Sequence, residues 1–303
     1  MAIRSLGSLT PTMQAALLVC GATLCFALLD SMVKYLSNRY PVSLLVWARW
    51  GIQALILVAW LGPQVKWGLV RTGNLTSQLF RGAILLGSSL CFVAALRIMP
   101  LAEATALNYS TPTLVTIMAV VLLDEKMTPV RVAFVIAGFV GMLLIVRPGS
   151  EMFQGAALFA LGAAWFYAMF QIVTRKLASE DWRTLMFYPA LFATIATSWV
   201  LPFVDWPEHI EWLDIAMLFT CGALGTFGHF LFLRAFQRAP ASAVTPFTYM
   251  QLVWATLIGW IVFGAFPGGL TLLGMAIIAG SGLFITLHEH RKTRAIAAPT
   301  AVD

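Results

Sequence analysis

Ten runs of apolar residues, each long enough to cross a bilayer, follow one another along the chain with short polar interruptions. They cover residues 13–36, 41–62, 77–98, 102–123, 129–147, 153–177, 183–204, 212–236, 242–263 and 269–288. A hydrocarbon core of ~30 Å takes ~20 residues of helix. Helix is the required state where no water satisfies the backbone. The pattern predicts an all-α integral membrane protein of ten transmembrane helices. Pro41, Pro100, Pro129, Pro148 and Pro240 fall at or near segment edges, and Gly62-Pro63, Pro148-Gly149 and Pro267-Gly268-Gly269 mark turns, as expected of residues that start or stop helices. Short connections make successive helices antiparallel. The tail after Arg294 is expected to lack structure. The first run is too long for the apolar part of a signal peptide and lacks a cleavage pattern, so it is expected to stay as the first membrane helix.

The pattern also repeats. At an offset of 140 residues Gly82 matches Gly222, Phe92 matches Phe232 and Ala95 matches Ala235. Pro100, Thr105, Tyr109 and Thr116 match Pro240, Thr245, Tyr249 and Thr256, while Gln14 and Phe26 match Gln154 and Phe166. The expected division is a first five-helix repeat over 1–150 and a second over 151–303, together one membrane domain. Five is odd, so the second repeat enters the membrane from the opposite side. Inverted repeats of this kind recur in transporters, with the substrate held near the midplane. A duplicated scaffold or membrane enzyme is the plainer alternative.

Composition strengthens the membrane reading. Of 303 residues 60% are hydrophobic and 11% charged, against about 25% charged in soluble domains. The net charge of +6 raises nucleic-acid binding, but no basic run interleaved with aromatics supports it, and no nucleic-acid partner is expected. Instead, fourteen Lys and Arg fall on one side of the predicted topology, Arg81 among them. Four fall on the other: Lys34, Arg39, Arg97 and Arg147. Positive loops stay inside, which places both termini in the cytoplasm of a bacterial-type inner membrane. The loop near 205–214, with Asp205, Glu208, Glu211 and Asp214 and no Lys or Arg, suits the outside, whereas Lys34 and Arg39 are a local exception. Cys20, Cys25, Cys91 and Cys221 all lie in apolar runs, with no metal-binding spacing to one another or to His. No metal and no cofactor are expected.

Ionisable groups inside membrane helices cost ~2.5–3.5 kcal/mol each on insertion scales, so each needs a reason. Asp30 and Lys34 are one turn apart, and Arg49 lies at similar depth in the second helix. The three are expected to cluster, either as a gate and docking site for a charged group or as an ion-pair staple. His229 is a candidate proton relay or a neutral core histidine. Glu103 faces the N-terminal dipole of the fourth helix, and Glu125 falls near its end; both read as structural or gating groups. The polar run Asn108-Tyr109-Ser110-Thr111-Pro112 has its counterpart in Thr248-Tyr249-Met250-Gln251. Pro112 frees a backbone carbonyl one turn earlier, tolerable where it faces protein or a water-filled cavity. Asn108, Tyr109, Tyr249 and Gln251 are therefore cavity candidates, or polar glue between helices. Trp165 in the aromatic cluster Trp165, Phe166, Tyr167 and Phe170, the adjoining Gln171, Trp254 in the ninth helix, and Phe227 and Phe232 around His229 suit a ligand with an apolar body and a polar end. They suit bundle packing equally, and Trp67, Trp206 and Trp212 read as interface-belt residues. Ser88, Ser89, Gly82 and Gly87, with Gly222, Gly225 and Gly228, form small-residue surfaces for tight or sliding helix contacts. Ser88 is also a cavity candidate.

No GxSxG, Walker A or HExxH motif is present, so no enzyme activity and no ATP-driven step are expected. Ten helices in two repeats resemble the drug/metabolite transporter superfamily in its EamA-type branch. Lys34, Pro41 and Arg49 match its pattern across helices one and two. Pro112, the Leu-Leu-Asp-Glu stretch ending at Glu125, Gly138 and Gly141 match it across helices four and five. Phe263-Gly264-Ala265 stands where the second repeat would carry its acid. Within the superfamily the chain looks most like the bacterial YddG-type exporters of aromatic and other neutral amino acids. The resemblance implies a secondary transporter working by alternating access, with a central cavity between helices one, three, four, six, eight and nine. Its partners would be a small-molecule substrate and the lipid bilayer, and its working unit a monomer. A neutral amino acid leads as cargo. A nucleoside-like or cationic compound is the alternative, and a membrane-embedded lipid-modifying enzyme a further one.

Overall fold

The structure, a computed structural model, describes residues 10–123, 126–147, 154–177, 179–239 and 244–297. Pro148, Gly149, Pro240 and Glu125 lie outside them. Ten spans are long and apolar enough to cross a membrane, made from eleven α-helices: α1 (Pro11–Ser37), α2 (Val42–Val65), α3 (Leu75–Ile98), α4 (Leu101–Asn108), α5 (Thr111–Leu123), α6 (Pro129–Val146), α7 (Gln154–Lys176), α8 (Trp182–Ser198), α9 (Trp212–Arg238), α10 (Met250–Phe263) and α11 (Gly269–Ala297).

Their ends follow local chemistry. Thr10 precedes Pro11, and its hydroxyl accepts from the Met13 N–H. Thr128 before Pro129 and Asp181 before Trp182 cap α6 and α8 in the same manner. Each satisfies an N–H that the helix itself leaves unpaired. At the other end, Gly264 at φ 65° stops α10 in the left-handed conformation. The last helix runs on to Ala297, past the Arg294 where order was expected to end.

The two spans equivalent in the repeat are both broken. The fourth is interrupted at Tyr109-Ser110, between α4 and α5. The Ser110 N–H turns back to the Leu107 carbonyl, a tighter closure than the α-helical one. Pro112 carries no N–H and so cannot continue the ladder across this point. The ninth begins as a 3₁₀ stretch, Thr245–Tyr249, before becoming α10. The kink expected at Pro112 is thus a full break, matched in the other half.

Packing obeys the same symmetry. A Cβ on Gly82 of α3 would stand 2.7 Å from Phe192 Cβ of α8, and one on Gly222 of α9 would overlap Ile52 of α2. Both partners, like both glycines, are 140 positions apart. Phe166 of α7 covers Gly87 of α3, and Phe26 of α1 covers Gly228 of α9. Gly141 of α6 and Gly274 of α11 let those two helices touch backbone to backbone. Small residues permit such approach where no hydrophobic drive between helices exists. The fold is therefore two inverted five-helix repeats, with the broken spans meeting at the centre.

One end of the bundle is tied by charge. Arg39 reaches Glu211 at 3.3 Å and Asp214 at 3.2 Å, and Tyr40 Oη donates to Asp214 at 2.6 Å. Burial, with the Asp214 carboxylate next, pushes the Tyr40 phenol up to about 12. Arg39 broke the charge rule in sequence because its partners, at the start of α9, are far away along the chain. At the other end, Thr72 and Asn74 donate to Glu180 and hold its carboxyl below its ordinary range. Trp206 and Trp212 stand exposed, as belt residues would; the side chain of Trp67 lies outside what is described.

Candidate functional site

The two breaks bring polar and aromatic groups to the middle of the bundle. Tyr109 and Tyr249, equivalent in the repeat, meet with ring centroids 5.3 Å apart. Contact between a residue and its own counterpart marks the place where the two halves face each other. Tyr109 Oη donates to the Thr248 carbonyl and to Gln251 Oε1 at 3.3 Å. Gln251 Nε2 in turn donates to Asp30 Oδ2 at 3.2 Å. One chain of hydrogen bonds thus runs from α1 through α10 to the end of α4. Three buried atoms on these elements have no hydrogen-bond partner among the described residues: Thr105 Oγ1, Asn108 Oδ1, an acceptor, and Trp254 Nε1, a donor. Buried polar groups are otherwise almost always paired. Asn108 adjoins Tyr109 in sequence and Trp254 lies one turn past Gln251, so a ligand or water beside that hydrogen-bonded chain could satisfy both.

The three expected charges do not form one cluster. Lys34 Nζ donates to the carbonyls of Leu96 at 2.9 Å and Met99 at 2.8 Å. Helix ends leave carbonyls unpaired, and a cation there answers both hydrogen bond and dipole. That pull outweighs the one-turn proximity to Asp30, and no ion pair joins Lys34 to Asp30. Arg49 Nη2 donates to Ser89 Oγ at 2.9 Å, and its guanidinium lies 4.2 Å over the Trp50 ring. Asp30 and Arg49 feel each other's charge without an ion-pair contact between them.

The other candidates divide. His229 meets Phe26 edge-on at 5.0 Å, and the charges near it are those of Arg49 and Arg81. Ser88 Oγ is committed to the Ala163 carbonyl at 2.9 Å, a buried tie between α3 and α7. Trp165 is 45% exposed on the face of α7 that carries Leu158, touching Phe166. Gln171 is half-buried, one position past Phe170. Glu103, in the first turn of α4, accepts from Thr271, which also receives Arg147; this ties α4 to α11.

Arg81, counted as a loop charge in the topology, is buried within α3. It donates to Thr174 Oγ1 and to the Leu185 carbonyl, both at 2.7 Å, and lies 4.5 Å over the Phe170 ring, which itself stacks on Tyr167. Its position a full turn inside the third apolar run was the signal. The cost of an intramembrane cation, applied there as it was at Arg49, would have found it. Among the described residues no cluster of three or more His, Cys, Asp or Glu could hold a metal ion.

Comparison with known proteins agrees with this architecture. A crystal structure shares the fold at a TM-score of 0.65 with 20% identity, over 91% of this chain and 98% of that one. The S-adenosylmethionine uptake transporter of Rickettsia bellii is 28% identical over 269 residues, 86% of this chain and 89% of its own. The riboflavin transporter of Vibrio cholerae is 29% identical over 288 residues, 93% and 96% of the two chains. Neither relative is named for amino-acid export, so the expected YddG-type assignment does not follow from them. The model of the EamA-like transporter family matches residues 13–147 and again 154–287, one match to each repeat. The chain belongs to the EamA-like transporter family and is a multi-pass membrane transporter protein.

Proposed function

We propose that the protein carries a metabolite with a flat nitrogen-heterocyclic body and a polar chain across the inner membrane by alternating access, as a monomer with both termini cytoplasmic. The observation that carries this reading is the meeting of two broken spans, where tyrosine rings adjoin elements bearing the unpartnered Asn108 Oδ1 and Trp254 Nε1. Broken helices are tolerated in a membrane where their freed groups line a cavity or face protein, and they form the substrate site in other inverted-repeat transporters. An aromatic surface with one donor and one acceptor suits a heterocycle that stacks and hydrogen-bonds at its edge.

The relatives' named cargoes support this choice. S-adenosylmethionine and riboflavin both join a flat nitrogen heterocycle to a hydroxylated five-carbon group, a ribose ring in the first and an open ribityl chain in the second. This favours the nucleoside-like alternative over a plain neutral amino acid. Tryptophan, with its smaller ring, is the second reading, favoured by the aromatic packing around Tyr167 and Phe170. Neither a metal nor a nucleotide-hydrolysing step is needed; the two halves exchange exposure around the Tyr109–Tyr249 contact.

The test is ligand-induced thermal stabilisation of the purified protein. A ligand at 100 times its Kd adds about 2.7 kcal/mol to the folded state, a shift of several degrees in Tm. S-adenosylmethionine or riboflavin is expected to raise Tm and tryptophan to raise it less. A shift from tryptophan alone would favour the second reading, and no shift from any of the three would overturn both.

A further inference from the structure

Arg81 is a buried cation without a counter-charge, and the hydrogen-bonded chain at the centre does not include it. It is 5% exposed, and among the described residues no Asp or Glu pairs with it. Buried charges are otherwise paired, and those inside a membrane mark substrate or ion paths. Its neutral partners fix its position without balancing it. Nε donates to Thr174 Oγ1 at 2.7 Å, and Nη1 to the Leu185 carbonyl at 2.7 Å and to Gln78 Oε1 at 3.4 Å. A guanidinium has five N–H donors; the two on Nη2 form no hydrogen bond among the described residues. Gln78 is fully buried, and its Nε2 has no partner either. The same amide carries the oxygen that meets Nη1, so Nε2 lies within about 6 Å of Nη1. The two oxygens of one carboxylate, at ~2.9 Å from each donor, can bridge Nε2 and Nη2. Phe170, 4.5 Å from the guanidinium, stacks on Tyr167, whose hydroxyl also makes no hydrogen bond among the described residues.

Packing alone does not call for this arginine. In the other repeat the equivalent of Arg81 is Cys221, 140 positions on. There α9 closes on α1 with Gly228 against Phe26 and the Cys221 thiol near the Leu29 carbonyl. The same helix contact thus forms without a cation from α9. The arginine also stands within reach of the centre. Thr111, at the start of α5 beside the break, meets the Ala164 carbonyl of α7 at 3.4 Å. Phe170 lies six residues further along α7, about 9 Å at 1.5 Å per residue, with Tyr167 between. A ring held at the break and joined to a chain of several single bonds spans that interval.

We propose that Arg81, with Gln78 and Tyr167, forms a subsite for a carboxylate carried by the substrate. Charge selects the carboxylate among oxyanions. One guanidinium balances one negative charge, whereas a phosphate monoester carries about −1.5 to −2 at pH 7 and would leave a surplus buried. The subsite rests on the heterocycle-transport reading and narrows it to flat-ring cargoes that end in a carboxylate. Thr174, whose own proton goes to the Phe170 carbonyl, holds Nε and so leaves Nη2 for the ligand.

Equilibrium binding to the purified full-length protein tests this with S-adenosylmethionine, its decarboxylated form and riboflavin. The first two differ only in the carboxylate. The wild type is expected to bind S-adenosylmethionine at least tenfold more tightly than the decarboxylated form. Arg81→Gln is expected to bind the two equally, through a loss confined to S-adenosylmethionine. Tyr167→Phe, which keeps the ring stack, is expected to lower the preference about threefold. Unchanged binding of the decarboxylated form shows that a variant is folded. If Arg81→Gln fails that check, Arg81→Lys takes its place, with a preference reduced but not abolished. Equal binding of the two adenosyl compounds by the wild type would overturn the subsite and leave the heterocycle reading standing. So would a full preference kept by folded Arg81→Gln, or by Arg81→Lys and Tyr167→Phe together. Binding of riboflavin with neither adenosyl compound bound would likewise overturn the subsite alone. Failure of all three to bind the wild type would overturn both.

Discussion

Leucine in place of Gly222 is expected to leave little folded protein in the membrane. A single Cβ at that position already overlaps Ile52 and lies 3.3 Å from the Arg49 carbonyl. The three further carbons have no space between α9 and α2. Extra methylenes in a well-packed interior cost about 1–3 kcal/mol where the neighbours can shift. Here the neighbours are a helix backbone and a β-branched side chain, which is stiff at χ1, so the upper end or more applies. Gly82→Leu is expected to behave alike, because its Cβ meets Phe192 Cβ at 2.7 Å across the equivalent α3–α8 contact. Gly155 is the control, with nothing within 4 Å of a built Cβ, and Gly155→Leu should express as the wild type does. Yield of the monodisperse peak and its Tm read all three. A wild-type yield from Gly222→Leu would show that α2 and α9 do not pack as described.

Removing only the Tyr109 hydroxyl is expected to slow transport about tenfold while leaving the protein folded. The ring contact with Tyr249 survives in Tyr109→Phe, so packing is kept. What is lost is the bond to the Thr248 carbonyl and the fix on Gln251. A lost intramolecular hydrogen bond costs ~0.5–1.5 kcal/mol, and 1.4 kcal/mol is about tenfold in an equilibrium constant. The Thr248 carbonyl sits in the 3₁₀ stretch, where the Met250 N–H also reaches it, so it keeps that partner when the phenol is gone. Tyr249→Phe provides the contrast. Its hydroxyl forms no hydrogen bond among the described residues and lies against Gly282, so transport is expected to change less than twofold. Initial uptake rates into proteoliposomes separate the two. Equal rates for wild type and Tyr109→Phe would remove the hydrogen-bonded chain from the working site.

Much of the scaffold was legible because its cause is local. Apolar length alone places ten spans, and Pro41, Pro100 and Pro129 start helices through their own backbone chemistry. The repeat could be read from Gly82 and Gly222 because helix contact in a membrane selects for residue size. The breaks were legible as irregularity, from Asn108 to Pro112, but not as breaks. Whether a proline kinks or severs a helix depends on what receives the freed groups, here the contact with the other repeat. Charges were the hardest. Lys34 and Asp30 are one turn apart in every helix, yet Lys34 turns to the carbonyls that end α3, over sixty positions away. Arg39 looked misplaced until Glu211 and Asp214 folded against it. Arg81 was read by the charge rule for loops, although its depth in the third run called for the rule for buried ions. In each case a long flexible side chain chose among partners that no sequence interval specifies.

The proposed path of a heterocyclic metabolite is the site where the two broken spans meet. Counterflow tests it most directly: proteoliposomes loaded with unlabelled S-adenosylmethionine or riboflavin are diluted into trace amounts of the labelled compound. Transient accumulation of label above the external level is expected with the wild type, at a rate about tenfold lower with Tyr109→Phe, and none in protein-free vesicles. Folded wild-type protein that exchanges neither compound would contradict the account.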